Sequence, residues 1–548
     1  SILLVICMLM TLMPTFALAD DDGQTPPIVD EQPLTDPTPG DPTNPTDPTG
    51  TDGKTSTQQL GTGEGTNGLQ GGENQIPVIG APNSLPRNVG EKNELPVLEV
   101  VDKILDAAKE KEKDLYFYNV LFANGQDVIV EPTADNAEGL LVTVGEKQYT
   151  FATSSTSQWN SANDGLTIFA GVNGNETEVS TAANSSPTIT IKNGAKVGAI
   201  FGGGYGQSTT GEVAIVIEDG AEVGAVYGGG LTANGDKTSK AQTEKSTITV
   251  DGYVGLIYAG GRAAVGPGIK DVVSFDKDPT TATANNWVGE SKVTINGTVS
   301  RYMGGSYSYG GVGIVECELN GSLTGSYSAV CGTNGYRGTA TMTVGTNGWI
   351  KGDLYCSMRG YVGDTVLKNA GRINQVSLNP DGEVVSSFGD VTVINTGTMT
   401  SCNLDCGCAK KGVDSNISPY PAKITVDGDV TVSTAYWESN TGQHYTAVDG
   451  QTIILLNGAK IAAGEVPPTN IAAVKVGEQY LTLAEAFKQE GITNIQLVSD
   501  CTLGELITLG EGKDITLDLN GHTITCSTKP KEWEKGAYYA FDVNGGKL

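Results

Sequence analysis

The stretch GAKVGAIFGGG at 194–204 is written again as GAEVGAVYGGG at 220–230, an offset of 26 residues. Looser copies follow as YVGLIYAGG from Tyr253 and TVSRYMGG from Thr298. A period of roughly 20–50 residues marks a solenoid or a propeller, in which each unit buries its apolar face only against the next. Just upstream of each copy lies a short segment with alternating apolar positions: Ile189 and Ile191, Ile215 and Ile217, Ile248 and Val250, Val293 and Ile295. The series continues with Cys317 and Leu319, Met342 and Val344, Val391 and Val393, and Ile424 and Val426. Side chains alternate faces along a strand, so each pair points one way and the residue between points the other. Stacked at the inter-strand spacing of about 4.8 Å, the pairs make a continuous aliphatic column.

Asn193-Gly194, Asp219-Gly220, Asp251-Gly252, Asn296-Gly297, Asn320-Gly321 and Asp427-Gly428 close these strands. Asn, Asp and Gly tolerate the positive φ of a tight corner. The same pairs also suit type I′ hairpins, so an antiparallel meander is the competing architecture. A coil is favoured because the second apolar segment of each unit, at 197–201 and 223–227, has its own repeat. Intervals between units are irregular, with excess sequence at 231–245, 262–290 and 360–389. These segments read as loops projecting from the coil, the third able to hide a degenerate rung around Val366 to Ile373.

The first nineteen residues, SILLVICMLMTLMPTFALA, carry no charge and end in a small-x-small pattern at Ala17 and Ala19. They read as a signal peptide entered partway, since neither Met nor a basic region precedes them. The final Gly545-Gly546-Lys547-Leu548 falls in mid-pattern, so the coil is expected to continue. Residues 20–93, with DPTPGDPTNPTDPTG at 36–50, read as a disordered Pro/Thr/Asp/Gly-rich linker. Residues 94–185 read as a capping lead-in, opened by a helix over 98–113 on whose apolar face lie Leu98, Val101, Leu105 and Ala108. The repeat domain spans 186–461, and 462–548 begins a second unit. A net charge of −29 argues against nucleic acid and anionic membranes as partners. It permits Ca²⁺ without demanding it, and no cofactor is assigned.

After Ala462 the pattern changes. Thr482 can cap a short helix whose Leu483 and Phe487 share a face, and strands follow at about Ile495, Leu506 and Ile515. Leu483-Ala484-Glu485-Ala486 and the later Leu517-Asp518-Leu519-Asn520-Gly521-His522 resemble the opening unit of pectin-lyase-like β-helices in secreted bacterial proteins. The repeats at 194–204 and 220–230 resemble those of adhesin-like bacterial surface proteins. The resemblance implies an all-β, right-handed parallel β-helix (β-solenoid) with short capping helices and projecting loops. It spans lyases, hydrolases, tailspikes and adhesins, so it implies no single activity.

Candidate sites are few. The chain has two histidines, His444 in a polar loop and His522 in a turn, which leaves no Ser-His-Asp set and no histidine-based zinc site. Asp276 with Asp278 and Asp427 with Asp429 read as turn formers rather than a glycosidase pair. GGGYG at 202–206 lacks the Lys-Ser/Thr of a phosphate loop, and Phe201, Tyr227 and Tyr258 are expected to stack there. Cys317 reads as a buried hydrophobe. Cys331, Cys356, Cys402, Cys406 and Cys408 lie near corners, where disulfides are favoured over zinc in an exported chain. Cys501 and Cys526, 25 residues or about one coil apart, are the candidate disulfide. Trp287, Tyr302, Tyr307 and Tyr309 are the candidate glycan-stacking aromatics. The expected function is a secreted or surface-displayed, adhesin-like binding surface or stalk without catalysis. Its partner would be an extracellular polysaccharide, a host glycan or a host protein, with no membrane span in the mature chain. The alternative is a polysaccharide lyase or glycoside hydrolase on the same fold.

Overall fold

A computed structural model describes residues 120–548 except 134–135, 153–165, 175–179, 183–184, 207, 233–240, 263–285, 308–310, 332–335, 357–359, 362, 379–384, 388, 405–422, 439–442, 447–451, 466 and 527–539. The expected signal segment, linker and helix over 98–113 lie outside the described residues. So do Tyr309, Cys406, Cys408, Asp276 and Asp278.

The chain alternates between two large parallel sheets. Sheet I gathers the first strand of each unit, running through Thr188–Ile191, Ser208–Ile217, Ala241–Val250, Asn286–Ile295, Gly311–Leu319 and Tyr336–Val344. It continues through Thr365–Asn369, Val391–Asn395, Lys423–Asp427 and Thr452–Leu456. Sheet II gathers the second, among them Lys196–Phe201, Glu222–Tyr227, Tyr253–Tyr258, Thr298–Met303, Trp349–Tyr355, Arg372–Ser377 and Thr398–Asn403. Each circuit advances one rung, and rung-to-rung pairing is parallel. A meander would pair these strands antiparallel, so the coil is the architecture. The long interval after Met342 does hold a complete rung, Thr365–Asn369 with Arg372–Ser377.

The aliphatic column is in register. Val128, Ile189, Ile215, Ile248, Val293, Cys317 and Met342 are successive Cα partners, followed by Leu367, Val393, Val426 and Leu455. All are buried in one core, each such side chain contributing about 1.5–3 kcal/mol. Burial pushes the Cys317 thiol up to about 12, in keeping with its role as a small hydrophobe. The neighbouring column ends in Asn369 and Asn395, where an amide hydrogen bond of 2.7 Å replaces aliphatic contact.

Sheet II does not alternate simply. Val197 and Ile200 both enter the main core, whereas Ala199 and Phe201 face a second cluster. Each strand therefore kinks once, and the N–H groups of both Gly198 and Ala199 donate to Leu166 O at the kink. The turns between the sheets use glycine for two different reasons. Gly194 and Gly220 have φ of 81° and 77°, the left-handed conformation expected of them. Gly252, Gly297 and Gly321 are absent from the positive-φ positions. A Cβ on Gly252 would instead strike the carbonyls of Ala221 and Glu218 in the rung below.

The corner leaving sheet II is tighter still. Ala170, Gly202, Gly228, Ala259 and Gly304 occupy it in successive rungs, each donating its N–H to the next rung. A Cβ on Gly228 would meet Ala259 O and, at 3.0 Å, Ser246 Oγ. The hydroxyls of Thr210, Thr243 and Ser246 are buried without a conventional hydrogen-bond partner. A Cβ added to Gly203 or Gly228 would meet the Thr243 or Ser246 hydroxyl at 2.6 or 3.0 Å, and one on Gly171 would strike that of Thr210, so glycine makes room for them.

The region before Ile189 joins the same coil. Val120–Phe122 pairs parallel with Thr167–Phe169 in sheet II. Val128–Thr133 pairs parallel with Thr188–Ile191 on one side and antiparallel with Asn136–Val144 on the other. Lys147–Ala152 completes a meander at that edge of sheet I. At the other end, Leu483–Lys488 is a helix with Thr482 and Glu485 forming a reciprocal capping box. Leu483 and Phe487 are buried, as their spacing predicts. Beyond it Asn494–Gln496, Cys501–Leu503 and Ile507–Leu509 each pair parallel with a strand of the following rung. Among the described residues no helix is long and apolar enough to cross a membrane.

Gly228→Ala is expected to destabilise the protein by ~1–3 kcal/mol, because the methyl must displace backbone. Gly510→Ala, with nothing within 4 Å of the added carbon, is expected to change little. Urea midpoints of the two variants check this; equal midpoints would remove the corner constraint.

Candidate functional site

The outward face of sheet II changes character along its length. In the first rungs it is sealed. Phe169 stacks on Phe201 at 4.6 Å, Phe201 on Tyr227 at 4.5 Å and Tyr227 on Tyr258 at 5.6 Å, all within 5° of coplanar. The expected ladder is thus present, and Phe122 extends it with a centroid distance of 4.9 Å to Phe169. Its outer side is covered by residues just past the corner, where Tyr205, Leu231, Arg262 and Tyr307 form successive parallel bridges.

From Val330 onward the corner residue grows. Val330, Cys356, Leu378 and Leu404 hold the positions that Gly202 and Gly228 hold earlier, and all four are buried. Their side chains fill the space that glycine leaves to the returning backbone. Alongside this change the sheet I strands shorten from ten residues in Ser208–Ile217 to five in Thr365–Asn369.

The sheet II face in these rungs is partly open. In register across it run Tyr327, Asp353, Gln375 and Ser401, all half-buried. The next row holds Tyr355, beside buried Ala329 and Ser377. Trp349 and Arg372 form a third row and are exposed. Arg301 lies over the Tyr327 ring at 4.1 Å and Arg372 over Trp349 at 5.5 Å. Tyr327 and Tyr355 are stacked with centroids 5.9 Å apart. Burial holds the Asp353 carboxyl above its ordinary range, partly offset by a hydrogen bond from Tyr355. Rows of rings and planar polar groups at the rung spacing of about 4.8 Å suit an extended ligand with alternating apolar faces and hydroxyl edges.

The four aromatics expected from the sequence do not converge. Tyr302 is fully buried and is the in-register partner of Ile257. The kink turns it inward and turns Arg301 outward, so Tyr302 is a core residue and not a ligand-stacking one. Trp287 is half-buried in a strand of sheet I, with its ring beside Gly313, and belongs to a different surface. Tyr307 does reach the sheet II side, edge-on to Tyr258 at 5.3 Å. Tyr327, Trp349 and Tyr355 were missed by sequence reasoning; counting outward positions from each corner would have found them.

The thiols also differ from expectation. Cys501 and Cys526 are both thiols and not halves of a disulfide, as is buried Cys402. Cys501 pairs with Ile524, and Cys526 pairs with Leu503. Two residues of offset along the strand put the two Cα atoms about 8 Å apart, beyond disulfide range. Cys331 Sγ instead donates to the Cys356 carbonyl. His444 lies in a hairpin strand opposite Trp437 rather than in a loop, and His522 Nδ1 is 3.5 Å from Asp500 Oδ1. Among the described residues no group of three or more His, Cys, Asp or Glu could hold a metal ion.

The chain matches no family model, no curated protein and no solved structure.

Burial pushes the Cys501 thiol up to about 11, with the Asp500 and Cys526 charges adding to it. Because the thiolate is the reactive form, alkylation of the folded chain without reductant is expected to label Cys526 first. Labelling of Cys501 should accelerate as pH rises toward 11. Peptide mapping that recovers a Cys501–Cys526 disulfide would contradict the register.

Proposed function

We propose that the protein is an exported, surface-displayed β-solenoid that binds an extended glycan along the outer face of sheet II, without turning it over. The observation that carries the proposal is the open half of that face. There Tyr327, Trp349 and Tyr355 lie among Arg301, Arg372, Gln375 and Asp353 on a rigid parallel sheet. Rings offer flat apolar area at low entropic cost, and the planar polar groups between them supply directional hydrogen bonds. Export rests on the apolar segment ending at Ala19 and on the Pro/Thr-rich spacer that follows it. The resemblance to adhesin-like and pectin-lyase-like proteins supports the same reading and extends it to a right-handed coil.

Asp353 favours a second reading, an enzyme on the same coil. A carboxyl raised by burial beside a tyrosine is a candidate proton donor.

One experiment separates the two. The full chain is incubated with pectin, alginate, xylan and host glycosaminoglycans, with and without Ca²⁺, and both binding and released sugar are measured. Binding without release of reducing or unsaturated sugar is the expected outcome. Trp349→Ala and Tyr355→Ala should each weaken it about tenfold, a loss of ~1.4 kcal/mol. Trp287→Ala, on the sheet I side, should leave it unchanged. Turnover abolished by Asp353→Asn would replace the adhesin reading with the enzyme.

A further inference from the structure

Arg262 presents a buried positive charge with no carboxylate partner among the described residues. The residue is 7% exposed. One guanidinium N–H donates to Tyr227 Oη at 2.9 Å, and the group lies over the Tyr307 ring at 4.2 Å. Its backbone is fixed on both sides, by the Arg262 N–H to Gly230 O at 2.9 Å and by Asn286 Nδ2 to Arg262 O at 3.1 Å. A guanidinium carries five N–H donors in a rigid fork, and a neutral phenol answers one of them. Among the described residues no carboxylate lies within ion-pair distance of it. Scarcity of acids is not the reason, since the chain has 63 Asp and Glu against 34 Lys and Arg. The lysines Lys192, Lys196, Lys245 and Lys423 all find carboxylates on neighbouring rungs. Burying an unpaired charge is costly, so a guanidinium held this way is suited to a partner that arrives from outside.

We propose that Arg262, held by Tyr227 and Tyr307, is a binding site for an oxyanion, a carboxylate or sulfate borne on a sugar. The site itself stands on the geometry above; that its natural carrier is a glycan rests on the binding-face reading. Arg262 lies on the sheet II side, on the ladder of Tyr205, Leu231 and Tyr307. The fork of guanidinium N–H groups supplies donors that either anion accepts.

The test separates the site from its carrier. For the site, the unfolding midpoint of the full chain is measured in sodium sulfate and in sodium acetate against sodium chloride of equal ionic strength. A rise of ~2 °C or more in at least one anion is expected for the native chain and for Lys368→Gln, on the exposed side of a sheet I strand. It should vanish in Arg262→Gln, and in Tyr307→Leu, which keeps the charge but removes the ring beneath it. Should Arg262→Gln not fold, the Tyr307→Leu comparison decides. No specific rise in the native chain, or equal rises in all variants, would overturn the site. For the carrier, binding of dextran, dextran sulfate and polygalacturonate is compared. Preference for either charged polymer, reduced about tenfold by Arg262→Gln, supports the sugar-borne anion. Equal binding of all three polymers keeps the glycan face and overturns the anion's role. Binding of none, with the sulfate or acetate response intact, overturns the carrier and leaves the site.

Discussion

Parallel pairing in register is the constraint on which everything else rests. When each rung repeats the last at one hydrogen-bonding distance, every side chain lies directly over its counterpart, and like must stack on like. Aliphatic side chains form the column from Val128 to Leu455, rings form the ladder from Phe122 to Tyr258, and amides pair at Asn369 and Asn395. A misfit at one rung is felt by two neighbours and few others, because each unit touches only those beside it. The tight corner is where this constraint binds hardest. The atoms that a Cβ on Gly228 would strike belong to the next rung and to sheet I.

Corner chemistry in turn divides the outer face of sheet II. Small corners at Gly202, Gly228 and Gly304 let the backbone turn close, and the bridges from Tyr205 to Tyr307 lie beside the ladder. Large corners from Val330 to Leu404 fill that space with side chains, and the rings beyond Tyr327 keep contact with solvent. One face therefore serves as core in its first half and as surface in its second. The same sheet geometry carries both, and the change of corner residue accompanies the shortening of the sheet I strands.

The sequence makes the coil legible because its period is short and its apolar pairs are strict. The aliphatic column, the stacked rings at Phe201, Tyr227 and Tyr258, the buried Cys317 and the Thr482 cap all follow from local rules. The site is less legible, and the reason is physical. Strict alternation from Val299 would turn Arg301 inward and Tyr302 outward, but the kink shared by the six- and seven-residue strands of sheet II reverses both. A one-residue irregularity flips every side chain after it, and nothing in the composition of 298–303 announces it. Cys501 and Cys526 fail for a related reason: a separation near one coil fixes the rung but not the register, and two residues of offset are enough to keep thiols apart.

The meander beside Val128–Thr133 gives the stack a direction. Asn136–Val144 pairs antiparallel with it, and Lys147–Ala152 follows on the outside. A further rung cannot stack there, since the edge of Val128–Thr133 with which it would pair is already taken by Asn136–Val144. Duplication of a rung can therefore lengthen the coil only between existing rungs or away from the meander. The rungs nearest Val128 then mark a fixed origin, from which the length of the sheet II face can drift over generations while its width stays the same.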